Sequence, residues 1–320
     1  MAKRILITGA GGFVGYHLVR EFHHQASFGR DFRLLTPTSR QLNLLDFQAT
    51  SDYLAEYKPT TILHCAAKCA GIMGNKATPA EFLFENTQMA LNVYEAARLN
   101  EITNIYSLGS VCAYPKNCPV PFKEDNIWDG MPEPTNFPYS QGKRTLMLLE
   151  QTYREQYGFT GCHFIPANMF GPKDKFDLKL GHAIPALIQK FDAAIKNDEK
   201  VVKCIGSGEA SREFLYSESC AELLVKAVLS DFDCPLPINV GTGVETRIKD
   251  LTHLIAELMG YKGDIAFLND GQDGQPRRQL DITRAREKLG WEAKVELEDG
   301  LCRTISWYRE NFSSDAHSHL

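Results

Sequence analysis

Ile5-Leu6-Ile7-Thr8-Gly9-Ala10-Gly11-Gly12-Phe13-Val14-Gly15 decides how this chain folds. A short run of large aliphatic residues ends in a glycine cluster, which reads as a strand, a tight turn and a helix start. Gly9 and Gly12 let the backbone approach a pyrophosphate, and Gly15 lets the helix pack close to the strand. The exposed amides and positive end of that helix then hold the phosphates, and Gly9, Gly11, Gly12, Phe13, Val14 and Gly15 are expected beside the cofactor. The spacing is Gly-x-x-Gly-x-x-Gly. A merely structural turn is the alternative, opposed by its place between an N-terminal strand and an amphipathic helix.

Working outward, strand-like runs at Arg4–Thr8, Phe32–Leu35, Thr61–Cys65, Asn104–Leu108 and Cys162–Pro166 alternate with amphipathic stretches. Asn86–Leu99 carries Met89, Val93 and Ala96 or Ala97 on one helical face, and Tyr139–Tyr157 reads as a longer helix. Such alternation predicts a parallel sheet wrapped by helices. Pro115–Pro138, rich in proline and glycine, reads as a loop too irregular to be buried. After Pro172 the rhythm changes to short helices, isolated strands and glycine turns. The expected class is α/β: a Rossmann-type, doubly wound parallel sheet over residues 1–167, with part of 211–243 returning to it. A smaller, partly discontinuous α/β C-terminal substrate domain is expected over 168–312, and a disordered polar tail over 313–320.

At 320 residues the chain can bury a substantial core, and 43% hydrophobic with 23% charged residues is ordinary for a globular protein. A net charge of −5 gives no broad basic footprint for nucleic acid, while a local basic pocket for a phosphorylated ligand stays open. No apolar stretch approaches the roughly 20 residues that span a bilayer. The first apolar run ends in a glycine turn and not in a cleavage site, so no signal peptide is expected. Nine cysteines without a Cys-x-x-Cys pair predict neither a disulfide framework nor a metal site, and point to a reducing cytoplasm.

The end of the second strand chooses the dinucleotide. An acid there binds the ribose 2′-hydroxyl of NAD, whereas a cation with small donors suits NADP. Leu34-Leu35-Thr36-Pro37-Thr38-Ser39-Arg40 has no acid and offers Thr38, Ser39 and Arg40, so NADP is expected. A solvated surface charge is the other reading of Arg40. Tyr139-Ser140-Gln141-Gly142-Lys143 sets a phenol and an ammonium four residues apart on one helical face. The ammonium is expected to lower the phenol's pKa, so that Tyr139 passes protons near neutrality. Lys143 can also hold the nicotinamide ribose. Ser110 ends a predicted central strand, where open α/β sheets put their ligands, and can hydrogen-bond a reacting carbonyl. Alone, Tyr-x-x-x-Lys is more readily a surface pair; after the glycine turn and the strand-end serine it points to chemistry.

Further motifs are Leu42-Asn43-Leu44-Leu45-Asp46, Ala66-Ala67-Lys68, Gly109-Ser110-Val111-Cys112 with Tyr114-Pro115-Lys116, and Glu133-Pro134-Thr135-Asn136. Gly181-His182-Ala183-Ile184-Pro185-Ala186-Leu187, Gly206-Ser207-Gly208, Arg212-Glu213-Phe214-Leu215, Asn239-Val240-Gly241-Thr242-Gly243 and Asp273-Gly274-Gln275-Pro276-Arg277 follow. With these in order, the chain from about Arg4 to about Phe312 resembles the extended short-chain dehydrogenases/reductases, and within them the GDP-L-fucose synthases. The resemblance implies an NADPH-dependent oxidoreductase and isomerase that inverts C3 and C5 of a GDP-linked 4-keto-6-deoxy sugar and then reduces C4. Ser110, Tyr139 and Lys143 would form the reductive centre, with Cys112 as base and His182 as acid for the inversions.

The resemblance further implies Leu44, Ala66, Ala67, Leu108, Gly109, Pro166, Asn168, Met169 and His182 as cofactor neighbours. Asn86, at a helix start, would join Asn168, Lys190, Ile205, Arg212 and Asp273 near the substrate. A homodimer is implied too, with the Asn86 and Tyr139 helices paired as a four-helix bundle. Without the family, Cys112 reads as a small buried hydrophobe, His182 as a structural histidine, and the substrate neighbours as surface charges or caps. Three positions depart from the family pattern: Val111 stands for Ser or Thr, Ile205 for Trp, and Lys175 for Asn. They leave open a sister enzyme acting on another deoxy sugar or a heptose. A catalytically silent NADP-binding sensor is the rival from another class, opposed by the presence of both Tyr139 and Lys143.

Overall fold

The computed structural model describes residues 2–25, 28–178, 181–269 and 274–312. Its opening run forms β1 (Lys3–Thr8), and the glycine turn leads into α1 (Phe13–His24). There follow β2 (Phe32–Leu35), α2 (Phe47–Tyr57), β3 (Thr61–His64), α3 (Ile72–Ala77), α4 (Pro79–Leu99), β4 (Asn104–Leu108), α5 (Phe137–Tyr157) and β5 (Thr160–Pro166). The later elements are β6 (Asn168–Phe170), α6 (Ala183–Lys196), β7 (Val201–Cys204), β8 (Ser211–Tyr216), α7 (Ser217–Leu229), β9 (Ile238–Val240) and β10 (Glu245–Arg247). Last come α8 (Ile248–Met259), β11 (Asp264–Phe267), α9 (Thr283–Leu289) and α10 (Leu297–Phe312).

The main sheet has the order β2-β1-β3-β4-β5-β9, and every neighbouring pair is parallel. Helices cover both faces, which is why β1 has a continuous apolar run, Ile5-Leu6-Ile7, and does not alternate. Ile5 and Ile7 enter one core with Leu18, Phe22, Leu224 and Val228, while Leu6 enters the opposite core with Leu54, Val93, Tyr94 and Leu146. The chain runs from β1 to β2 on one side and returns to β3 on the other. That reversal opens a crevice at the C-terminal strand ends.

A second apolar core, with Phe170, Ile188, Phe191, Leu251, Ile255 and Leu301, lies among two small sheets, β10-β8-β6 and β11-β7, and their helices. Of the stretch expected to return to the main sheet, β9 pairs with β5 and α7 packs on α1, but β8 stays with a small sheet. The packing also draws in Leu280, Ile282, Ala285, Leu289 and Trp291, which join the main core although they lie inside 168–312. Glu213 ties the lobes: its buried carboxylate accepts from the amides of Gly243 (2.8 Å) and Leu280 (2.6 Å).

The 115–138 stretch is irregular, as expected, but it is not outside the core. Phe122 and Ile127 are buried. Distant partners satisfy its backbone, which removes the usual cost of burying a loop. The Phe122 amide donates to Gln279 O (2.7 Å), and Arg144 donates to Ile127 O (2.6 Å) and Gly130 O (2.8 Å). The tail over 313–320 lies outside the described residues. Among those described, no helix is long and apolar enough to cross a membrane.

Candidate active site

The glycine turn is built by close backbone approach. Gly9 takes φ +72°, and a Cβ on it would lie 2.8 Å from Ala66 Cα, so only glycine lets the turn touch the loop after β3. A Cβ on Gly15 would meet Gly9 O at 2.2 Å and Ala10 Cα at 2.5 Å, whereas one on Gly11 would find nothing within 4 Å. Gly12 caps α1 with no side-chain bond, and the first turn, including Phe13 and Val14, carries no acid. The Gly12 amide donates to Gly9 O (2.9 Å), and the other first-turn amides beside the open space at Gly11 fit a pyrophosphate.

Ala66 and Ala67 reach this crevice through a buried polar pair. Thr8 Oγ1 accepts from the amides of Cys65 and Ala66 (3.2 Å each) and lies 2.9 Å from His64 Nδ1. Burial pushes the His64 imidazole down to about 3 and so keeps it neutral. Thr38, Ser39 and Arg40 are exposed beyond β2, and Thr38 is braced by its amide and hydroxyl on Gln41 Oε1 (2.9 and 3.0 Å). Leu44 is a core residue whose carbonyl is taken by Asn92 (2.8 Å).

α5 carries Tyr139 and Lys143 to the end of β4. Lys143 is buried and donates to Leu108 O (2.7 Å); among the described residues this is its one hydrogen bond, so two donors remain. Its nitrogen lies 5.9 Å from the Tyr139 ring centroid. The expected acidification of Tyr139 is reversed. Burial, then the Cys69 and Cys112 thiols, push the phenol well above its ordinary value, outweighing the Ser110 hydrogen bond that draws it down. The helical-neighbour argument ignored desolvation, and desolvation wins. The phenol stays protonated, which is the form a ketone reduction consumes.

Ser110 caps the short turn Val111–Ala113, its Oγ accepting from the Cys112 amide (3.2 Å). α5 braces that turn from outside. Ser140 Oγ donates to Cys112 O (2.8 Å), and Arg144 Nε donates to Ala113 O (2.8 Å). At Gly109 a Cβ would run into His163 Nε2 at 2.4 Å. Cys112 Sγ accepts from Arg278 Nη1 (3.4 Å), a buried guanidinium fixed by Gln275 (2.7 Å). A fixed positive charge thus faces the sulfur that a base would load with negative charge.

His182 stands at the start of α6 with Nδ1 3.2 Å from Asp174 Oδ1 and Nε2 3.8 Å from Cys69 Sγ. Desolvation opposes the charged ring, but the Asp174 and Cys69 hydrogen bonds overcome it and hold the imidazole well above its ordinary value. Cys69 also pairs with Tyr139. Ser110, Cys112, Tyr139 and His182 therefore join one cluster, with Cys69 as the link. Sequence reading missed Cys69, Ser140, Asp174 and Arg278. Cys69 and Arg278 directly follow quoted motifs and Ser140 lies inside one, while Asp174 carries no local signal.

Asn86 has a different place in its helix from the one expected. It lies buried within α4, not at its start, and its Oδ1 accepts from the Lys68 amide (2.9 Å). Its Nδ2 donates to Lys68 O (3.0 Å) and Phe82 O (2.7 Å), so both amide hydrogens serve the fold. Asn168 Nδ2 donates to Glu213 O (2.8 Å), between Pro166 at the end of β5 and Met169 in β6. Arg212, on β8, lies with Nη2 3.6 Å from where a Gly274 Cβ would sit. Lys190 donates to Lys203 O (2.6 Å), and Ile205, just past β7, is 63% exposed. Among the described residues no hydrogen bond joins Lys190 to the Tyr139 cluster, and Asp273 lies outside them.

Residues 5–241 match the NAD dependent epimerase/dehydratase family. The chain belongs to that family. This epimerase/dehydratase is 37% identical to GDP-L-colitose synthase of Yersinia pseudotuberculosis, over 98% of its own length and 100% of that protein. It is 36% identical to GDP-L-fucose synthase of Escherichia coli, with 97% of each chain covered. Among solved structures it resembles a GDP-6-OMe-4-keto-L-xylo-heptose reductase from C. jejuni, at TM-score 0.87, 25% identity and 96% and 98% coverage. The likeness to GDP-L-fucose synthases read from its motifs thus extends over nearly the whole chain.

Proposed function

We propose that the protein is an NADPH-dependent epimerase/reductase that converts GDP-4-keto-6-deoxy-D-mannose to GDP-L-fucose. One observation carries this reading: Tyr139 hydrogen-bonds Ser110 and Cys69, the Cys69 sulfur lies 3.8 Å from His182 Nε2, and the Cys112 amide donates to the same Ser110 (3.2 Å). Relatives at 36–37% identity, one a GDP-L-colitose synthase and one a GDP-L-fucose synthase, support the substrate class. A GDP-mannoheptose C4 reductase structure at TM-score 0.85 and 26% identity, with NADP bound, supports the cofactor. In this chain the α1 amides would hold the pyrophosphate, Thr38, Ser39 and Arg40 the 2′-phosphate, and the spare Lys143 donors the nicotinamide ribose. NADPH, when bound, supplies the hydride that reduces C4.

A ketone at C4 makes the hydrogens at C3 and C5 acidic, because the carbanion left behind delocalises onto the carbonyl oxygen. Inversion needs a base on one face and an acid on the other. Cys112, held against Arg278, removes the proton; His182, kept charged by Asp174, returns one from the opposite face. Ser110 and Tyr139 hydrogen-bond the oxygen that carries the negative charge in each step. Tyr139 then gives its proton to that oxygen as C4 is reduced.

Incubation with NADPH and GDP-4-keto-6-deoxymannose in deuterated water tests the proposal. GDP-L-fucose labelled at C3 and C5 is expected, and Cys112→Ser should suppress the label; undiminished exchange removes Cys112 from the mechanism. Exposed Ile205, together with Val111 and Lys175, favours a second reading, in which another GDP-linked 4-keto deoxy sugar or heptose is the substrate. A faster turnover of such a sugar would select it. The exposed Leu83, Phe84 and Leu91 of α4 and Leu148 of α5 support a homodimer through these helices.

A further inference from the structure

Cys69 is placed as no other thiol of this chain is. The loop that carries it is pinned by Asn86 to both backbone polar atoms of Lys68, while the Lys68 ammonium pairs with Glu81 and with Glu85 (2.6 Å). Cys69 is an exposed residue, and its sulfur lies 3.8 Å from His182 Nε2. Behind the imidazole stands Asp174, buried, with Oδ1 3.2 Å from Nδ1 and with Oδ2 lacking any partner among the described residues. Cysteine, histidine and aspartate thus form a relay of the kind that activates sulfur nucleophiles. Desolvation opposes a thiolate here, but the hydrogen bond and charge of His182, with Lys143 behind, draw the thiol below its ordinary value. The rival thiol, Cys234, is drawn to about 6 by its hydrogen bond with Cys162, but it is only 5% exposed.

We propose that Cys69 is a covalent modification site for soft carbon electrophiles of the α,β-unsaturated carbonyl class. The sulfur lone pair forms a bond to the β-carbon, and the π pair of the alkene moves onto the carbonyl as an enolate. The proton on His182 Nε2, which came from the thiol, then passes to the enolate. The thiol has added across the double bond with no leaving group and no oxidant. The adduct sits between His182 and Tyr139, so it blocks the pocket from within. The inference concerns the thiol alone and holds whichever sugar the enzyme takes.

N-ethylmaleimide at less than one equivalent, followed by peptide mass spectrometry, tests the site, with exposed Cys302 as the internal reference. Native protein should label at Cys69 faster than at Cys302 by on the order of tenfold, and urea should bring the two rates together. In His182→Gln the native ratio should fall towards one. Equal native rates, preferential labelling of Cys112, or an unchanged ratio in folded His182→Gln each overturn the proposal. If circular dichroism finds that variant unfolded, the wild-type ratio with and without urea decides alone.

Discussion

Gly11 and Gly15 lie four residues apart in one turn, yet the space around them predicts opposite consequences for the same substitution. At Gly15 an alanine Cβ would stand 2.2 Å from Gly9 O and 2.5 Å from Ala10 Cα, both backbone atoms. Ordinary contact needs roughly 3.4 Å or more, so α1 must withdraw from the turn by about an ångström. Overpacking of this kind costs about 1–3 kcal/mol. At roughly 2 °C per kcal/mol for a chain of this size, Gly15→Ala should lower Tm by about 2–6 °C. At Gly11 the same methyl meets nothing within 4 Å, so Gly11→Ala should melt within about a degree of wild type. The open space there is where the pyrophosphate must approach the backbone, and filling it should weaken NADPH binding by on the order of tenfold, about 1.4 kcal/mol. Differential scanning fluorimetry and NADPH titration by fluorescence, run on both variants, separate the two effects. Unchanged NADPH affinity in a folded Gly11→Ala refutes the assignment of that space to the dinucleotide. A Gly15→Ala protein as stable as wild type refutes the packing argument.

Beneath the site, buried Glu150 accepts from Ser107 Oγ (2.9 Å), and burial raises its pKa to about 8 from an ordinary value of 4.5. Between those values the folded carboxyl keeps a proton that the unfolded chain has released, so stability should fall as pH rises from about 4.5 to about 8, by at most about 1.4 kcal/mol per unit. Glu150→Gln should flatten that slope in urea unfolding followed across the window; an unchanged slope would mean that the proton resides elsewhere. Asp174→Asn removes the charge, and with it the charge-assisted hydrogen bond, that keeps His182 protonated, so the alkaline limb of solvent-deuterium exchange should move to lower pH. An unmoved limb separates His182 from the acid step. Leu91→Glu with Leu148→Glu places charge on two exposed apolar positions of α4 and α5 and should leave a folded monomer by light scattering. A dimer that persists in the double variant places the interface on another surface.

What could be read in advance was local. The β1–turn–α1 unit, the strand ends at Leu35 and Leu108, and the shared helical face of Tyr139 and Lys143 all follow from periodicity and glycine placement within a few residues. What could not be read was the pairing of distant residues. Cys69 and His182 are 113 positions apart, and Cys112 and Arg278 are 166 apart. The pKa of Tyr139 shows the same divide: Lys143 is a helical neighbour and was counted, while burial and the thiols from other segments were not, and they reverse the sign.

The acid–base groups come from four separate segments, and two of them, the Cys69 loop and the Ser110–Cys112 turn, are anchored through backbone atoms. Asn86 holds the Lys68 backbone, Ser140 and Arg144 hold the carbonyls of Cys112 and Ala113, and Lys143 holds that of Leu108. A backbone anchor does not depend on the identity of the side chain it positions. Among the described residues, Val111 and Ile205 contribute no side-chain anchor of this kind, and Lys175 gives only its amide, to Asp174 Oδ1 (2.7 Å). Substitution at these three positions can therefore reshape what the pocket accepts while Ser110, Cys112, Tyr139 and His182 keep their geometry. On the proposed function, divergence in the sugar and persistence of the proton chemistry would both follow from this architecture.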